Sequence, residues 1–146
     1  MEAYIKSLET ELSLIKNGFK EEERRALADY KFNNHKYIKK LAFLAYKSDN
    51  YQVRMYGVFL FGYLSEQKDI LLFMRDEVSK DDNWRVQEVL AKAFDEFCHK
   101  TGYEKVLPII DEWLKFPESI KVELNSWKLE SKEIIQVYKL ASKFIS

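Results

Sequence analysis

A chain of 146 residues makes one ordinary domain, long enough to bury a core without disulfide or metal staples. Its 47% apolar and 33% charged residues are the composition of a soluble globular protein and exclude disorder, and its 24 basic and 24 acidic side chains cancel, so a nucleic-acid role needs locally clustered charge. Four Gly and two Pro point to an all-α fold, the lone Cys98 excludes an internal disulfide and fits a reducing cytoplasm, and neither a signal peptide nor an apolar run near the about 20 residues that span a bilayer is visible.

The first helix runs from about Glu2 to Lys16, with Ile5, Leu8, Leu12 and Ile15 three and four apart and Asn17-Gly18 as its stop. A second, about Lys20 to Tyr30, opens on Glu21-Glu22-Glu23-Arg24-Arg25, read as a solvated face with internal ion pairs. Asn33-Asn34 break the chain before a third helix, Lys36 to Tyr46. It carries Ile38, Leu41 and Leu44 together with Lys36, Lys39 and Lys40, and Lys47 follows; these lysines are either scattered solvated charge or a phosphate-binding stripe. Gly57 and Gly62 lie inside the helix from Tyr51 to Leu64 and mark close helix packing. Ile70 to Val78 forms the next helix.

Asp81-Asp82-Asn83-Trp84-Arg85-Val86-Gln87-Glu88 then opens a long helix. Asp82 or Asn83 caps it, the acidic residues suit the positive end of its dipole, and Val86, Val89, Leu90, Ala93, Phe94 and Phe97 recur as a buried stripe. Trp84 and Glu88 are four residues apart and share one face of the first turn, an indole–carboxylate pair that looks like chemistry. Pro108 falls near the start of a further helix, Val106 to Leu114, where its missing N–H has no partner to lose. The last helix, Lys132 to Ile145, has a wide apolar stripe that either caps the fold or supports a homodimer.

The sequence also repeats. Asp49-Asn50-Tyr51-Gln52-Val53 aligns with Asp82-Asn83-Trp84-Arg85-Val86, and Glu118-Ser119-Ile120-Lys121-Val122 is a weaker third copy. Helix pairs recurring at this spacing are the signature of a short α-solenoid. The expected layout is one domain, 1–146, with an N-terminal helix at 2–16 and repeats at about 20–48, 49–80, 81–116 and 117–146. Tyr51 matches Trp84, so an aromatic there also suits sealing a joint between repeats; Met55 matches Glu88, so the scaffold does not demand a carboxylate. Asp49, Asp81 and Asp82 are alternative surface partners for Arg54 and Arg85. His35 and His99 lack a second ligand at metal spacing, and no Gly-rich phosphate loop, nucleophile elbow or HExxH occurs, so neither a metal nor a cofactor is expected.

The segments Tyr51 to Leu64, Asn83 to Phe94 and Gly102 to Leu114, with Asn83-Trp84-Arg85-Val86-Gln87-Glu88 the most specific, resemble the DNA alkylation repair family of AlkD-like proteins over about Glu22 to Phe116. The resemblance implies a HEAT-like solenoid whose concave face holds duplex DNA with alkylated bases and which, in active members, excises N3- and N7-alkylated purines. The family's Trp and the carboxylate four residues on fall on Trp84 and Glu88; Arg54, Arg85 and Lys92 are the candidate contacts to the DNA backbone. Where the family's third repeat reads Val-Arg-Arg, this chain has Val122-Glu123-Leu124, an acidic residue that repels a phosphate. That departure, with the single further helix after it, implies a shortened or diverged member, and the alternative is a non-catalytic helical-repeat module for protein–protein interaction or self-association.

Overall fold

The computed structural model describes residues 1–102, 104–106 and 108–109, and every regular element among them is helical. They are α1 (Glu2–Leu12), α2 (Lys20–Phe32), α3 (His35–Tyr46), α4 (Tyr51–Tyr63), α5 (Lys68–Asp76), a 3₁₀ turn at Val78–Lys80, and α6 (Trp84–Thr101). Residues 104–106 and 108–109 are helical too, which agrees with a helix start around Pro108. The expected helix at Lys132 to Ile145, its apolar stripe, the third copy of the repeat and Glu123 lie outside the described residues.

Each helix forms where its apolar spacing and caps direct it. In α1, Ile5, Leu8 and Leu12 turn inward, and in α3 Ile38, Leu41, Ala42 and Ala45 do the same behind the side chain of Asn34, which accepts from Tyr37 N. Several limits differ from the sequence reading, and α2 runs on to Phe32. The first helix ends at Leu12, not Lys16: Leu14 and Ile15 are exposed, the Ile15 carbonyl accepts from Gln52 Nε2 at 2.5 Å, and Gly18 takes the left-handed turn at φ 71°. The fifth helix starts two residues early at Lys68 and stops at Asp76, leaving Val78 to the 3₁₀ turn that leads into α6.

The core is organised around α4, which packs against α2, α3 and α6 and buries every residue from Met55 to Gly62. Two glycines make that burial on several sides feasible. A Cβ on Gly57 would lie 3.0 Å from the Ala42 carbonyl oxygen of α3, and one on Gly62 would lie 2.9 Å from the Ala93 Cα of α6. The helices therefore meet backbone to backbone at these two crossings. Beside them, Phe61 contacts the rings of Phe43 and Phe73 at centroid distances of 4.9 and 5.3 Å, which ties α4 to α3 and α5. No described helix is long and apolar enough to cross a membrane.

Candidate functional site

The loop that launches α6 is built like the loop that launches α4. Asn50 Oδ1 accepts from the N–H groups of Gln52 and Val53 at 2.8 and 3.3 Å, and Asn83 Oδ1 accepts from those of Arg85 and Val86 at 2.9 and 3.3 Å. Two residues upstream, Ser48 Oγ takes the Asn50 N–H and Asp81 Oδ1 takes the Asn83 N–H. Four residues downstream of each cap, a long polar side chain folds back onto the loop. Arg54 Nη1 donates to the carbonyls of Ser48 and Asp49, and Gln87 Nε2 donates to those of Val78, Ser79 and Asp81. The repeated Asp-Asn-aromatic segment is thus a helix-launching device, and it fixes the direction in which Trp84 and Glu88 leave the backbone. Of the two candidate caps, Asn83 is the one used.

Asp81 is the node of this device, with a side chain only 6% exposed. Besides the Asn83 N–H it accepts Tyr46 Oη at 2.8 Å and Arg54 Nε at 3.0 Å, with Arg54 Nη2 at 3.4 Å. Burial and the bond to Asp81 push the Tyr46 hydroxyl well above its usual range. Arg54, expected as a contact to the DNA backbone, has its guanidinium committed to Asp81 and to two carbonyls inside the protein; Asp81 is among the alternative partners the sequence offers, but the pair is mostly buried and not at the surface.

Trp84, Arg85, Glu88 and Lys92 fall within an arc of about 100° on α6, opposite the stripe of Val86, Ala93, Leu90 and Phe97 that enters the core. Trp84 is 63% exposed. The Arg85 guanidinium carbon lies 4.4 Å from the indole centroid, and the Lys92 ammonium lies 4.6 Å from the ring of Phe19, which precedes α2 and sits 6.0 Å from Phe59. Glu88 is half-buried one turn after Trp84, and neither its carboxylate nor the Arg85 guanidinium makes an ion pair with any described residue. The structure therefore gathers four of the five expected site residues on one face and leaves Arg54 in the scaffold.

A residue that sequence reasoning took for surface charge lies beside this face. Glu21 does form the expected pairs with Arg24 and Arg25, but its neighbour Glu22 is wholly buried. Gln52 Nε2 donates to Glu22 Oε1 at 3.4 Å, Oε2 has no hydrogen-bond partner, and burial raises the carboxyl above the ordinary glutamate range. Within a run of three glutamates, no letter tells which one faces inward. The inward-pointing Gln52 is the clue, because it stands in α4 where Arg85 stands in α6. Among the described residues no group of acids, histidines or cysteines is arranged to hold a metal ion.

The fold matches two solved structures along nearly the whole of both chains. A crystal structure of AlkD2 from Streptococcus mutans superposes with a TM-score of 0.76 at 53% identity, covering 98% of this chain and 98% of that one. A crystal structure of smu.31 from Streptococcus mutans UA159 superposes with a TM-score of 0.72 at 52% identity, covering 99% of this chain and 98% of that one. No protein-family model matches the sequence, and no curated protein does. With half its residues shared along the full length of an AlkD-type structure, and with the helix-launching segments and helical stacking described above, the chain belongs to the DNA alkylation repair family of AlkD-like proteins.

Proposed function

We propose that the chain binds duplex DNA across the open face of α6 and that Glu88 supports hydrolytic excision of N3- or N7-alkylated purines. The observation that carries this reading is Trp84, a large aromatic 63% exposed at the start of an otherwise well-anchored helix. A residue that only sealed the joint between repeats would be covered, as the half-buried Tyr51 is at the matching position. The indole offers a face to a cationic base or sugar, while Arg85 and Lys92 offer positive charge to phosphates.

The chemistry asks little of the protein. An alkylpurine is cationic, so when the bond from C1′ to the ring nitrogen breaks, the base takes the electron pair and departs neutral. The sugar is left cationic, a nearby carboxylate stabilises it, and water adds at C1′ and gives up a proton. Glu88, on the face of Trp84 and without a cationic partner among the described residues, is the group suited to that role.

Two observations favour a second reading, a non-catalytic helical-repeat module that binds another protein or itself. Arg54 is bound inside the scaffold, and the chain has Glu123 where the resemblance to the family implies an arginine. Release of 7-methylguanine from methylated duplex DNA at low salt, compared between wild type and Glu88→Gln, separates the readings. Release by wild type that vanishes in Glu88→Gln is the expected result. No release and no duplex binding would sink the repair reading in favour of the module.

A further inference from the structure

Glu22 is wholly buried, yet only one of its carboxyl oxygens has a partner, and that partner is shared: Gln52 Nε2 also donates to the Ile15 carbonyl. A buried carboxyl left half satisfied destabilises a fold and calls for another role. Its surroundings suggest one. From α4 it meets the neutral amide of Gln52, and its charged neighbours are Glu21 on its own helix and Arg85 from α6. The Arg85 guanidinium makes no hydrogen bond or ion pair with a described residue and rests on the Trp84 ring. One cation therefore has three claimants: the indole, the free oxygen of Glu22 and, in the reading above, a DNA phosphate.

We propose that Glu22 is a positioning residue for Arg85: ionised, it draws the guanidinium toward α2 and away from an incoming phosphate, and protonated, it leaves the guanidinium on Trp84 and available to the duplex. Its consequence for DNA rests on the proposed function, whereas the coupling of Glu22 to Arg85 does not. Arginine stays charged throughout, so one proton on Glu22 is the only titration required. Because burial raises this carboxyl, the exchange occurs above the ordinary glutamate range.

Two readouts test this. In the free protein, the Arg85 Nε–Hε resonance should shift with pH at a midpoint above the ordinary glutamate range, and the shift should be absent in Glu22→Gln. A resonance indifferent to pH, or moving alike in both proteins, overturns the proposal. In duplex binding at low salt, raising the pH from about 5 to 8 should weaken wild type about two- to fivefold more than Glu22→Gln. Arg85→Gln should erase the difference. A coupled resonance without duplex binding upholds the positioning and refutes the DNA reading. Duplex binding with the same pH profile in both proteins refutes the positioning and upholds the DNA reading.

Discussion

Asp81→Ala removes the acceptor on which three elements converge. Tyr46 of α3, Arg54 of α4 and the Asn83 N–H at the head of α6 lose bonds of 2.8, 3.0 and 2.9 Å. Arg54 keeps the Ser48 and Asp49 carbonyls, but its charge, on a side chain 20% exposed, is left without a counter-ion. Charge-assisted bonds at such a site are worth about 1.5–3 kcal/mol each before compensation, and breaking a mostly buried pair costs about 3–5 kcal/mol, so a loss of about 3 kcal/mol is expected. For a domain of this size that lowers the Tm by about 6–12 °C. Thermal and urea unfolding followed by circular dichroism give the value, with Asp82→Ala, an exposed neighbour, as a control expected to stay within about 0.5 kcal/mol. Arg54→Met should cost a similar amount, and the double variant less than the sum. If Asp81→Ala falls within about 1 kcal/mol of Asp82→Ala, the node does not hold the repeats together. Arg54→Gln, assayed where it stays folded, should leave the salt slope of duplex binding unchanged, whereas loss of a phosphate contact would lower it by about one ion.

Gly62→Ala should destabilise by about 1–3 kcal/mol despite alanine's better helix propensity, because its Cβ would meet the α6 backbone at Ala93; urea midpoints measure the change. Glu22→Gln should alter how stability depends on pH. The folded carboxyl titrates above its unfolded value, so its contribution is complete below the unfolded pKa and is lost as pH rises through the folded one. Wild type should accordingly lose stability above the ordinary glutamate range and the variant should not, as read from urea midpoints across pH. Tyr56→Phe removes a fully buried hydroxyl that donates to Asp29 Oδ2 at 2.5 Å and should cost about 1–2 kcal/mol in the same assay, with Tyr4→Phe, at the half-buried partner on the same oxygen, costing less. Trp84→Ala should leave the urea midpoint within about 0.5 kcal/mol of wild type while weakening duplex binding measured by fluorescence anisotropy.

Much of this architecture is legible in the letters, since apolar spacing and asparagine caps are local signals. Asn34, Asn50 and Asn83 each start a helix within a residue or two of the expected place, and Trp84, Glu88 and Lys92 share a face because four-residue steps on a helix always do. What escaped is set by distant partners. Ile15 fits the period of the first helix, yet its carbonyl is taken by Gln52, 37 residues on. Arg54 and Arg85 both follow an Asp-Asn-aromatic segment, and only packing reveals that one is bound to Asp81 and the other lies on an indole. Glu22 points inward because α2 is rotated against Gln52, a rotation its three consecutive glutamates do not encode.

The two repeats differ most on the face that carries the candidate site. Gln52, Met55 and Phe59 in α4 occupy the positions of Arg85, Glu88 and Lys92 in α6, and their exposures are 6, 0 and 3%. Phe19, just before α2, packs on Phe59, and Glu22 of α2 takes the Gln52 amide, so one helical face is core in one repeat and open in the next, with side chains to match. An ordinary solvated face would leave its cations in water, but here Arg85 and Lys92 each lie on an aromatic ring. A cation on an exposed ring is held by about 0.5–1 kcal/mol, far less than one in a buried ion pair such as that of Arg54 with Asp81. Exchanging the ring for a phosphate therefore costs little. In the reading advanced above, the rings keep both charges ordered and available, and the arginine that is tightly paired is the one assigned to the scaffold.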